Sequence, residues 1–243
     1  MTSTPSTLPL IILLLPLLAF ILNAVVIPLT IKGFAKTTLP AAATAATLPL
    51  AGAFMFALIA FFQLSETSLV SSPYTWFSFG DFRIQFELKL DRLSGLMTLI
   101  ITGVGTLIHV FSAGYMSHEE SIGRYYSYLS LFCFSMLLLV MGNELPLLFF
   151  GWEGVGLCSY LLIGFWFTDE EKANAGKKAF ITNRVGDLGF LIGAFILYKL
   201  VGSFNFDVMT ETFKSWQTQA PDMTLVTLAC LALFVGATGK SAQ

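Results

Sequence analysis

The residue in this sequence best placed to do chemistry is a glutamate inside an apolar run. Glu153 lies eight residues into Leu145–Phe167 (LPLLFFGWEGVGLCSYLLIGFWF), a stretch long enough to cross a bilayer as a helix. At ~1.5 Å per residue it sits ~12 Å deep, close to the midplane of a ~30 Å hydrocarbon core. A carboxylate there is costly whether charged or neutral, and such residues as a rule face a bundle interior or a watery cavity on an ion path. The position points to transport; the plainer alternative is a carboxylate that only hydrogen-bonds across helices. Trp152, Gly154 and Gly156 flank it, and the glycines let a neighbouring helix or water come close.

A second group lies in Ala179–Val201. Arg184 and Asp187, beside Asn183, are spaced i, i+3 and share a helix face. Their charges partly cancel, so a structural ion pair and a proton relay fit equally well. Lys240 follows Met223 by seventeen residues, ~26 Å of helix, which by geometry alone allows it to snorkel at the far interface. His109, near the end of another apolar run, reads as a hydrogen-bonding residue rather than a proton carrier. Gly103-Val-Gly105 and Gly154-Val-Gly156 do not complete a dinucleotide fingerprint and follow no strand, so no nucleotide site is implied.

These residues need membrane helices to hold them. The 243-residue chain is 56% hydrophobic and 12% charged, with a mean hydropathy of +0.77, the composition of an integral membrane protein. A net charge of −2 gives no sign of a nucleic-acid partner. Cys133, Cys158 and Cys230 are scattered through apolar segments, so neither a disulfide framework nor a metal site is expected. Seven spans are predicted: Leu8–Ile31, Pro40–Phe62, Arg92–Met116, Tyr125–Met141, Leu145–Phe167, Ala179–Val201 and Met223 onward. No basic residue precedes Lys32, so the first span reads as a retained helix, not a signal peptide.

Between spans two and three, Phe82–Asp91 (FRIQFELKLD) alternates apolar and polar residues after Tyr74–Phe79 and a Gly80-Asp81 turn, which predicts a β-hairpin outside the membrane. The chain thus divides into 1–74 (two spans and the start of an outer loop), the hairpin at 75–91, and 92–243 (five spans). Asp169–Lys178 reads as a solvated loop, and Asp91-Arg92 as the cap of the third span. Basic residues close to span ends place the N-terminus and hairpin outside.

The runs GWEGVGLCSYLLIGFW (Gly151–Trp166), KKAFITNRVGDLGF (Lys177–Phe190), FSAGYM (Phe111–Met116) and GATGKSAQ (Gly236–Gln243) resemble the antiporter-like membrane subunit L family of NADH:quinone oxidoreductase, respiratory complex I. The resemblance covers nearly the whole chain. It implies an all-α membrane fold with a small hairpin, corresponding to the N-terminal half of an antiporter-like subunit in a cell inner (plasma) membrane. It also implies proton translocation through a buried pair of Glu153 and Lys240, with Lys240 mid-membrane beside a helix interruption, and a charged pair of Arg184 and Asp187. NADH, FMN, iron–sulfur clusters and quinone would belong to partner subunits of the complex, with none in this chain. Family members are much longer and contain two inverted repeats. The chain is therefore expected to be a fragment, or one half of a split subunit, unable to pump protons alone. The rival classes are a subunit of a multisubunit cation/proton antiporter and a non-transporting scaffold.

Overall fold

In the computed structural model, residues 2–31, 38–64, 67–80, 82–216 and 223–241 are described. Among these, seven helices are long and apolar enough to cross a membrane. With no water in the hydrocarbon to satisfy backbone groups, a helix closes its hydrogen bonds internally, which is why each apolar run takes this form. The first span is continuous but irregular. Helix α1 (Leu8–Ile21) passes through a π-helical turn at Leu22–Val26 into α2 (Ile27–Ile31). The turn lies directly before Pro28, whose nitrogen cannot donate, so the ladder shifts there and the Ile27 amide reaches back to Leu22.

Helix α3 (Leu39–Gln63) packs against α1, with Ala57 and Ala60 buried in one cluster with Ile12 and Leu13, while Ala42 and Ala46 are buried with Ile122 and Tyr126. Helix α4 (Arg92–Tyr115) starts at Asp91, which accepts from the Ser94 amide while the Ser94 hydroxyl accepts from the Asp91 amide, both at 2.8 Å. This reciprocal cap is the one expected at Asp91-Arg92. Helices α5 (Ile122–Met141) and α6 (Leu145–Ile163) pack closely, because Gly151 leaves no room for a side chain: a Cβ there would lie 2.5 Å from the Leu139 nitrogen. The fourth span is thus longer than Tyr125–Met141, and the fifth ends at Gly164 before Phe167.

The expected loop at Asp169–Lys178 is instead the first part of helix α7 (Glu170–Val201). Asp169 caps it by accepting from the Glu171 and Lys172 amides, and Glu170 and Glu171 suit the positive end of the helix dipole. Charge content suggested a loop, but the Ala, Lys and Glu residues there are good helix formers. A short helix α8 (Phe206–Ser215), absent from the sequence reading, precedes α9 (Met223–Ser241). Helices α7 and α9 touch along glycines: a Cβ on Gly186 would lie 3.0 Å from Gly239 Cα, and one on Gly236 would lie 2.9 Å from Phe190 Cβ.

One end of the bundle carries strands. The hairpin of β3 (Tyr74–Phe79) and β4 (Phe82–Phe86) is present, with Gly80 at φ +58°, while Asp81 lies outside the described residues. The hairpin does not continue to Asp91. After Phe86 the chain leaves it, Leu88 bridges to Gly142, and β5 (Lys89–Leu90) pairs antiparallel with β2 (Thr67–Val70). Leu88 and Leu90 are fully buried under this sheet, whereas the aromatics of β3 are exposed, so burial divides a stretch that alternation alone would make one strand. β1 (Thr2–Pro5), also unforeseen, adds parallel to β2.

Polar groups tie this cap to the helices. Glu144, just before α6, accepts from the Gln85 amide of β4 at 2.8 Å. Burial, helped by nearby Glu87, holds its carboxyl above the ordinary carboxylate range despite that bond. Lys89 pairs with Asp207 of α8, and Asn143 donates to Asp207 at 3.0 Å and to Glu87. Burial alone would push the Asp207 carboxyl up; the Lys89 and Asn143 bonds outweigh it and hold the group below its usual value.

Candidate functional site

Three helices bring the four candidate residues together. Arg184 of α7 pairs with Glu153 of α6 and also lies 3.6 Å from Asp187, one turn along its own helix. Its guanidinium sits 4.7 Å from the Phe180 ring centroid, so the Arg184 head is held between two carboxylates and an aromatic face. Asp187 is 5% exposed and also accepts from the Trp152 indole N–H at 2.7 Å. Glu153 and Arg184 are less covered, with side-chain exposures of 21% and 43%.

Lys240 arrives from α9. It does not snorkel to an interface: its Nζ donates to the Trp152 backbone carbonyl of α6 and lies 5.1 Å from the centre of that indole. Gly156 makes this contact possible. A helical side chain covers the turn before its own Cα, so a residue at 156 would shield the carbonyl at 152. A Cβ built there would lie 3.0 Å from Lys240 Nζ and 3.7 Å from the Asn183 amide nitrogen.

The direct Glu153–Lys240 pair implied by the resemblance is not the arrangement found. Among the described residues, the carboxylate of Glu153 is within ion-pair distance of Arg184, and Lys240 is held by Trp152. The physical reason is competition: a guanidinium offers five donors in a fixed fork, and Arg184 stands on the helix facing Glu153. The four residues named from the sequence lie together, and Trp152, to which sequence reasoning assigns no role, links them. Its indole N–H serves Asp187 and its carbonyl serves Lys240. The available signal was its place beside Glu153, since a tryptophan buried at that depth needs an acceptor for its N–H.

His109 lies elsewhere, in the α4–α5 contact, fully buried with Nδ1 2.8 Å from the Gly105 carbonyl. That matches a hydrogen-bonding role. Among the described residues, its contacts are with Gly105 and Tyr126 and not with the four charged residues.

Residues 142–243 match the family model described as NADH:quinone oxidoreductase/Mrp antiporter, transmembrane, and residues 76–126 match that described as NADH-Ubiquinone oxidoreductase (complex I), chain 5 N-terminus. The chain is 45% identical over 183 residues to NADH-quinone oxidoreductase subunit L of Escherichia coli (strain K12), covering 75% of this chain and 30% of that protein. It is 38% identical over 239 residues to the subunit L of Rickettsia bellii (strain RML369-C), covering 96% of this chain and 36% of that one. It thus spans about a third of the length of these relatives. In fold it is similar to a chain of the Mrp complex from Dietzia sp. DQ12-45-1b, at a TM-score of 0.74 and 24% identity, over 96% of this chain and 24% of that chain.

Proposed function

This chain is a subunit-L-like member of the antiporter-like membrane subunits of NADH:quinone oxidoreductase, and from that premise we propose that it serves proton translocation driven by NADH oxidation with quinone. The observation that carries the reading is the set of two carboxylates and two cations joined through Trp152 inside a multi-pass membrane bundle. Ionisable groups at such a depth are costly to keep without a role in ion movement. Arg184 touches both Glu153 and Asp187, so a small shift of its head toward Asp187 would free Glu153 for the ammonium of Lys240. In this reading proton transfer follows the exchange of partners within the set, and the Glu153–Lys240 pair is its second state. NADH, FMN, iron–sulfur clusters and quinone reside in partner subunits, and the chain contributes to the membrane arm of the assembly in a cell inner (plasma) membrane.

A cation/proton antiporter subunit is the second reading, because the fold is common to that class. Membrane vesicles containing the full assembly separate the two. The primary reading expects proton movement that requires NADH and ignores an imposed sodium gradient. Proton movement driven by sodium without NADH would favour the antiporter.

Orientation has its own test. With the hairpin outside, Ser78→Cys is expected to react with an impermeant thiol reagent in intact cells and Ala175→Cys is not; both positions are exposed, at opposite ends of the bundle. Labelling at position 175 but not 78 would invert the topology.

A further inference from the structure

A second set of buried polar groups lies outside the charged network, where α4 meets α5. The Gly105 carbonyl that His109 Nδ1 approaches at 2.8 Å can only accept, so Nδ1 carries the ring proton and Nε2 of the neutral imidazole is an acceptor. Nε2 is buried, with no hydrogen-bond partner among the described residues. Ser130 on α5 is 1% exposed, and its Oγ is likewise unpartnered. Several other buried hydroxyls of these helices turn back onto their own backbone: Thr102 to Thr98 and Ser127 to Gly123 at 2.7 Å, Ser135 to Leu131 at 2.9 Å, whereas the Thr98 hydroxyl of α4 is also unpartnered. Ser130 does not, although its helix offers the same bond.

The helix register sets the two groups at the same level. The Tyr126 hydroxyl donates to the His109 carbonyl at 2.9 Å, and further along a Cβ on Gly105 would lie 3.4 Å from Cys133 Sγ. Tyr126, Ser130 and Cys133 follow one another at i, i+4 and i+7 on one face of α5, so Ser130 stands between these two cross-helix contacts. The imidazole occupies the matching interval on α4, drawn back toward Gly105. A cavity of about 200 Å³, lined in part by Gly105, His109 and Cys133, adjoins the imidazole, and Leu129, the residue before Ser130, forms part of its wall.

We propose that His109 Nε2 and Ser130 Oγ hold one internal water, which donates to the imidazole and bridges to the hydroxyl. The missing partner must be a hydrogen-bond donor, because Nε2 accepts. It must also be small, because aliphatic side chains of α4, with Leu129, Phe132 and Met136 of α5, supply the rest of the cavity wall and offer nothing polar. The site is independent of the proton-translocation reading and does not involve Glu153 or Lys240.

Pulsed X-ray hydroxyl-radical labelling of the full assembly, read by mass spectrometry, tests this directly. Radicals formed from an internal water oxidise the side chains around it, even buried ones. Tyr126 and Cys133, at 0% and 4% exposure, are the reporters, and Met141, at 0%, is the buried control. The expected result is labelling of Tyr126 and Cys133 well above Met141, lost in Ser130→Ala and in His109→Phe. Labelling of both reporters at the Met141 level in the native protein would overturn the proposal, as would labelling unchanged in both variants. The native measurement decides the matter even if a variant fails to assemble.

Discussion

Glu153→Gln in the assembled complex is expected to cut proton translocation by about tenfold or more, equivalent to ~1.4 kcal/mol or more on the transfer step. The substitution keeps the shape of the side chain and removes one negative charge from a set whose formal charges sum to zero. Arg184 would then be left with Asp187 as its carboxylate partner, and the second state, in which Glu153 receives Lys240, would lose its acceptor charge. Lys240→Ala is expected to have a similar effect, and the double variant less than the sum of the two, since the residues act as one unit. Electron transfer from NADH to an artificial acceptor should survive in all three, because the redox chemistry is assigned to other subunits. Removing one half of a buried pair can also destabilise a fold by ~3–5 kcal/mol, so assembly must be matched on a native gel. A fully assembled Glu153→Gln complex that pumps normally would sink the mechanism and leave the non-transporting scaffold in front.

The second large effect is expected without touching any charge. Gly186→Leu should weaken the α7–α9 contact by ~1–3 kcal/mol or more and reduce pumping to the level of Lys240→Ala. Even a Cβ at Gly186 would approach the Gly239 Cα to 3.0 Å and the Gly236 carbonyl oxygen to 3.2 Å, so a leucine must push the two helices apart. Gly239 immediately precedes Lys240, and moving it would draw the ammonium off Trp152. Gly114→Leu serves as the control, since a Cβ there meets nothing within 4 Å. Thermal unfolding in detergent and pumping in vesicles should both fall for Gly186→Leu and stay level for Gly114→Leu. A Gly186→Leu protein unchanged in both would mean that this glycine contact does not position Lys240.

Much of the fold was legible because membrane helices announce themselves by apolar length, a signal that depends on no distant contact. The hairpin at Tyr74–Phe86 was legible for a similar reason, since alternation is local. What could not be read depended on partners remote in the chain. Thr2–Pro5 becomes a strand only because Thr67–Val70 stands beside it, and Lys89–Leu90 leaves the hairpin because Leu88 and Leu90 are buried elsewhere. The same limit applied at the site. Glu153, Arg184 and Asp187 stood out as charges among apolar residues, and the family resemblance supplied Lys240. Which cation would meet which carboxylate was a question of how α6, α7 and α9 face one another. The shift of Glu153 to Arg184, and the bridging place of Trp152, are set by that packing.

The charge balance of the site also bears on the membrane voltage. A field does work only on net charge displaced along it, at ~2.3 kcal/mol per elementary charge for a full crossing at 100 mV. Exchanging partners among Glu153, Asp187, Arg184 and Lys240 moves each charge by no more than a side-chain shift, a small fraction of the ~30 Å core, so little electrical work is done. Such an exchange is nearly blind to the potential. Once a proton enters, the set carries a full unit of charge near mid-depth, where about half of that electrical work applies. The voltage would therefore weigh on loading and release of the proton, and leave the internal rearrangement almost free of electrical load.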